Sequence, residues 1–283
     1  MSATKNFWII IAVALIALGA IAFVIVMSAN SWNFMTLSTV KYQTVEYEID
    51  EDFTDISIIA DTEHITVLPS TDGKCRVVCH LDERAQHSVC VDDGVLSIIH
   101  GNMKKWYDYI SAFNFEYPRI TVYLPSDEYN NIVIDSHTGD INIKNIFVGT
   151  LDIKVSTGKV RVDNVVCAKD LKIVVSTGDA NLVKVRCNNL ISVGDTGDLV
   201  MDDVWASDKL DIVRDTGDVT FNLCDASEVE IVTSTGDVTG VFIRDMMIFA
   251  KTSTGKKDVP NINSGGRCEI TTDTGDIKIQ ISK

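Results

Sequence analysis

From Ile132 onward the apolar residues of this chain fall into columns that can be counted from a recurring glycine. The phrase around that glycine is Ser, Asp or His, then Thr-Gly, then Asp or Lys. It occurs eight times, with its glycine at Gly139, Gly158, Gly178, Gly197, Gly217, Gly236, Gly255 and Gly275, so successive glycines stand 19 or 20 residues apart. With the glycine as zero, positions −7, −5, +2, +4 and +7 give forty places. Thirty-six hold Ala, Val, Ile, Leu, Met, Phe or Cys, and the exceptions are Ser192, Gly240, Lys257 and Ser282. The pairs (−7, −5) and (+2, +4) have period two, the alternation of a strand with one face inward, and not the 3.6 of a helix. A fixed period of this length predicts a solenoid in which each repeat is one coil carrying two short strands.

The repeated phrase reads first as corner chemistry. Glycine takes positive φ without a Cβ clash, and Ser or Asp two residues earlier bonds nearby backbone N–H groups. Proline is absent from the repeats until Pro260, as strands paired on both sides require. The predicted class is all-β: a single-stranded, parallel, right-handed β-solenoid or β-helix with 19–20-residue coils, each rising ~4.8 Å. Ile56, Ile58, Ile65 and Val67 fit the same columns around Asp61-Thr62-Glu63-His64, with Glu63 in the glycine place. Residues 45–131 are therefore an irregular β start or cap, and 132–283 the regular solenoid.

Ahead of the β region the pattern changes. Phe7 to Met27 is 21 residues without a charge, enough to cross a hydrocarbon core of ~30 Å as a helix. This divides the N-terminal region into a cytoplasmic terminus (1–6), a transmembrane helix (7–27) and a spacer (28–44). Lys5 precedes the run and no charge follows until Lys41, which places the repeats outside the cell by the positive-inside tendency. The competing reading is a cleaved signal peptide, since Ala20-Ile21-Ala22 has the small-x-small pattern. Net charge is −15, which argues against nucleic acid and against electrostatic docking on anionic lipid. Among seven cysteines, Cys167 and Cys187 share the +9 column in adjacent coils, within disulfide reach, but Val148, Ala206 and Ala226 make that column one of packing. Cys75, Cys79 and Cys90 with His80 and His87 lack the paired spacing of a metal site.

Candidate chemistry is sparse. Asp195, Asp215 and Asp273 each open an Asp-Thr-Gly phrase, yet aspartic-protease chemistry needs two carboxylates facing across a cleft, not a stack at one corner. The +1 column places Asp179, Asp198, Asp218 and Asp237 on consecutive coils. Charges ~4.8 Å apart repel by ~0.9 kcal/mol in water and ~3.5 kcal/mol at an effective dielectric of 20. Together with Asp195 and Asp215 this corner is a candidate Ca²⁺ site, the alternative being a solvated ladder. The second candidate is a run of aromatics, Trp106, Tyr107, Tyr109, Phe113, Phe115 and Tyr117, read either as a binding surface or as a cap over the open solenoid end. No nucleophile elbow, zincin, Walker or dinucleotide motif is present. The expectation is a non-enzyme without a cofactor.

Ile120-Thr121-Val122-Tyr123-Leu124-Pro125, then Asn131-Ile132-Val133-Ile134, then the Ser/Asp-Thr-Gly-Asp-hydrophobic series resemble a family of bacterial "putative adhesin" proteins built of stacked β-repeats, a domain of unknown function. The resemblance covers roughly residues 45 to 281. It implies a stacked β fold behind a single membrane span, with an adhesin label but no catalytic or binding residues to carry over. The leading expectation is a membrane-anchored, extracytoplasmic, non-enzymatic solenoid that contacts an envelope protein or polysaccharide. A bactofilin-like structural polymer and a carbohydrate-active β-helix enzyme are the alternatives.

Overall fold

A computed structural model of the chain describes residues 2–33, 41–83, 85–101, 117–125 and 128–282. Helix α1 (Ser2–Ala29) and the β body beginning at Tyr42 are separate compact units. Within α1, Asn6–Ala29 is long and apolar enough to cross a membrane by length and composition, a test that signal sequences also pass.

Among the described residues, 21 strands join one hydrogen-bonded network. The first seven are β1 (Tyr42–Ile49), β2 (Asp55–Ala60), β3 (His64–Pro69), β4 (Cys75–Asp82), β5 (Gln86–Asp92), β6 (Val95–Gly101) and β7 (Arg119–Leu124). The repeats supply β8 (Tyr129–Thr138), β9 (Ile141–Lys144), β10 (Phe147–Thr157), β11 (Val160–Cys167), β12 (Asp170–Thr177), β13 (Ala180–Thr196), β14 (Leu199–Thr216) and β15 (Val219–Cys224). The chain closes with β16 (Glu228–Thr235), β17 (Val238–Phe242), β18 (Met246–Thr254), β19 (Lys257–Asp258), β20 (Gly266–Thr274) and β21 (Ile277–Ile281).

Repeat columns are pairing columns. Leu151 pairs with Ile132 and Leu171, and Val160 with Ile141 and Ala180, all in parallel register. The −7, −5, +2 and +4 side chains of the middle coils line one continuous core. One inward column adds to those predicted, and one confirms a packing column. Position −3, which extends the −7 and −5 run, is buried at Ser136, Val155, Val175, Arg214, Thr233 and Thr272. Position +9, read as packing in the sequence, is buried at Val148, Cys167, Cys187, Ala206 and Ala226. With +7 it gives these five coils a third short inward run, where two strands were expected. Cys167 and Cys187 are free thiols, and burial pushes both up, Cys187 to about 12.

The order of stacking departs from the order of the chain at both ends. β2 and β3 lie directly on β8 and β9, pairing Ile56 with Ile132 and Ile65 with Ile141. Their other side is taken by β6 and β7. Residues 75–124 therefore do not intervene as further coils. They supply one outermost coil, β6 with β7, and strands β5, β4 and β1 that close over its edge in antiparallel pairing. At the far end, β20 and β21 insert between β16/β17 and β18/β19. The last coil in sequence is thus second from the end of the stack, as is the first.

Glu63, in the glycine place of the first coil, is fully buried. One carboxylate oxygen accepts the Asp61 and Thr62 N–H groups at 2.8 and 3.1 Å. The other lies 3.0 Å from His100 Nδ1, whose side chain comes from the outermost coil. Burial alone raises the Glu63 carboxyl, but the bond and charge of His100 and the backbone donors outweigh it and hold it below its ordinary value.

Candidate functional site

The two surfaces singled out by the sequence fare differently. Of the aromatic run, Trp106, Tyr107, Tyr109, Phe113 and Phe115 lie outside the described residues. Tyr117 is exposed, with its ring edge-on to His64 at 5.7 Å.

The corner aspartates form an unbroken column, and the inserted last coil extends it by Asp276. Each carboxylate is a hydrogen-bond acceptor for the next coil. Asp198 N–H donates to Asp179 Oδ1 at 3.3 Å, Asp218 N–H to Asp198 Oδ1 at 2.8 Å, and Asp237 N–H to Asp218 Oδ1 at 2.8 Å. Asp276 N–H then donates to Asp237 Oδ1 and Lys256 N–H to Asp276 Oδ1, both at 2.7 Å. At the other end the Lys159 ammonium sits 2.9 Å from Asp179 Oδ2. That bond, with the Asp198 N–H, holds the Asp179 carboxyl below its usual range. The column therefore caps corner N–H groups, one oxygen per residue. Asp195 and Asp215 are exposed three positions earlier in their coils. Among the described residues no three His, Cys, Asp or Glu side chains are grouped to hold a metal ion.

A third surface was not singled out by the sequence. The outward +8 column reads Phe147, Val166, Arg186, Trp205, Asp225 and Arg244 on six successive coils. The −7 column is apolar on every coil, whereas this one mixes aromatic, aliphatic and charged residues. Phe147, Val166 and Trp205 are about two-fifths exposed. The Arg186 guanidinium lies over the Trp205 ring at 4.8 Å and donates to Asp203 Oδ1 at 2.7 Å. Asp225 is 4 % exposed; its Oδ2 lies 2.5 Å from Arg244 Nε, and its Oδ1 has no hydrogen-bond partner. Arg186, Trp205, Asp225 and Arg244 line a groove of about 560 Å³ together with Ser207 and Ser227. The signal available in the sequence was the mixture of aromatic and charged residues at +8, visible only once that column is aligned.

No curated protein matches the chain. Among solved structures, a "putative adhesin" from Bacteroides fragilis NCTC 9343 is similar over 86 % of this chain and 97 % of its own, at 19 % identity and a TM-score of 0.57. A "putative adhesin" from Parabacteroides distasonis ATCC 8503 covers 86 % of this chain and 98 % of its own, at 12 % identity and a TM-score of 0.37. The first of these likenesses is one of fold. Residues 53–283 match the family described as Toastrack DUF4097, a span that takes in every coil from the buried Glu63 corner to the C-terminal strand. On that match, the chain belongs to the Toastrack DUF4097 family.

Proposed function

We propose that this chain is a membrane-anchored, extracytoplasmic, non-enzymatic β-solenoid that binds a cell-envelope or surface partner, in the manner of an adhesin. The observation that carries this reading is the groove beside the +8 column, where the exposed Trp205 meets the Arg186–Asp203 and Arg244–Asp225 ion pairs. The "putative adhesin" name of the Bacteroides fragilis structure accords with it. Helix α1 is the anchor, with Lys5 on the cytoplasmic side. The coils wind right-handed, as parallel crossovers do in general.

The test is topology together with retention. Protease added to intact cells is expected to digest the β body, and the detergent-solubilised full chain is expected to bind native envelope fragments. Protection of the β body in intact cells would instead favour a cytoplasmic, bactofilin-like polymer. Turnover of a cell-wall polysaccharide by the pure protein would favour the enzyme reading.

A further inference from the structure

We infer that the groove from Trp205 to Arg244 is a binding site for a neutral saccharide, an assignment that rests on the reading of this chain as a binding protein. Trp205 supplies the platform. It is 41 % exposed, and Arg186 stacks over its ring at 4.8 Å. Arg186 is itself fixed by Asp203, so the indole is held before any ligand arrives. An ordered aromatic ring with one face left to a groove binds at low entropic cost.

Asp225 and Arg244 supply the polar half. Asp225 lines the groove and is buried, and its role there is to hold Arg244 in place. Arg244 is pinned through Nε to Asp225 Oδ2, while its side chain remains 65 % exposed. It stands two coils from Trp205, roughly 9–10 Å by the interstrand spacing, with Asp225 between them. A pyranose ring suits both halves. Its C–H face packs on the indole, and its hydroxyl and ring oxygens accept from the exposed Arg244 guanidinium.

Charge selects the class of sugar. Arg186 and Arg244 are matched by Asp203 and Asp225, and the chain carries −15 overall. No spare cation remains in the groove for a phosphate, sulfate or uronate. A second groove of about 550 Å³ shares Ser227 and Arg244 and continues toward Ser264 and Gly266. The site therefore accepts an oligosaccharide, not one ring alone.

The experiment measures binding of the detergent-solubilised full chain to cellotetraose, mannotetraose and the N-acetylglucosamine tetramer, with tetragalacturonate as the acidic comparison. At least one neutral tetramer is expected to bind. Trp205→Ala and Arg244→Ala each weaken it ten-fold or more, Trp205→Ala at unchanged melting temperature, and Trp205→Phe keeps most of the affinity. The assignment is overturned if no neutral tetramer binds, if both alanine variants bind as wild type does, or if tetragalacturonate binds tightest. Retention of the wild-type chain on native envelope in any of those cases leaves the adhesin reading intact. Failure of envelope binding as well removes both.

Discussion

At the residue scale, the four breaks in the apolar columns each have a local cause. Ser192 is buried and accepts from Nη2 of Arg214, itself 2 % exposed, at 2.8 Å. Gly194 makes room for that guanidinium, since a Cβ there would lie 2.2 Å from Nη1. Burial drives the Arg214 guanidinium down to about 10, and no carboxylate bonds it among the described residues. Gly240 faces Phe221, whose ring would meet a Cβ at 2.1 Å. Lys257 sits in the outermost C-terminal coil and reaches the Ala250 carbonyl at 3.3 Å. Ser282 follows the last strand, where its N–H donates to the Phe242 carbonyl. Ser192→Ala is expected to lower unfolding free energy by about 1–3 kcal/mol, because a buried charged donor loses its partner. Arg214→Met with Ser192→Ala should recover that loss, because apolar side chains of similar volume replace a buried ion without penalty; urea denaturation of the three proteins decides it. For the corner aspartates, Asp218→Asn keeps the acceptor for Asp237 N–H and removes a repelling charge. It should match or exceed wild type in urea midpoint, while Asp218→Ala falls below by about 1 kcal/mol. The anomalies were legible in the sequence; their causes were not, because Arg214 and Phe221 belong to other coils or other columns.

At the element scale, the corner glycines are required twice over. Their φ values run from +131° to +159°, and a Cβ on Gly217 would meet the Gly197 carbonyl oxygen at 2.2 Å. The positive φ was readable from the Thr-Gly phrase, whereas the close approach depends on which coil lies beneath. Gly217→Ala is expected to cost at least about 1–3 kcal/mol from backbone strain alone, read from chemical denaturation. A second corner at +6 escaped the sequence altogether. Asn145, Asn164, Lys184, Asp203 and Leu223 all take φ near +50°, yet share no residue type. Asn and Asp tolerate this region; Leu does not. Leu223→Gly should therefore raise stability by about 0.5–1 kcal/mol, the relief of left-handed strain outweighing the entropy of glycine. A lower melting temperature for that variant would show that the Leu223 side chain contributes more than its backbone costs.

At the scale of the whole β body, the columns were legible and the stacking order was not. Most inward positions are apolar on every coil, so the columns alone do not say which coil lies on which. At the N-terminal end the buried Glu63–His100 pair joins the first coil to the outermost one. The Glu63 carboxyl is lowered from its ordinary 4.5 in the folded state. Its contribution is therefore complete above about pH 4.5 and is lost as pH falls through the folded value. Glu63→Gln is expected to unfold about 3–5 kcal/mol more easily near neutral pH, having broken a buried pair. Its stability should then fall less steeply than that of wild type below about pH 4.5, and parallel profiles would rule out the pair as the source of acid sensitivity. The far end makes its own prediction. Amides of β20 should exchange more slowly than those of β18, although β20 lies nearer the C-terminus in sequence; fraying inward from the last residue would contradict the inserted coil.

A stack whose first and last coils are each gripped on both sides has no loose tip. β20 is bonded to β16 and β18, and β21 to β17 and β19, so a tug on the tail must tear two ladders where a terminal coil would offer one. At the N-terminal end, β1 peels first from β4, after which the load reaches β2, held by both β6 and β8. On the proposed reading of a tethered binding protein, the ends are where tension enters. The same tucking bears on how such a chain lengthens: a spare coil is accommodated between Gly139 and Gly236, where neighbours follow in sequence, and an addition at either tip finds its seat already taken.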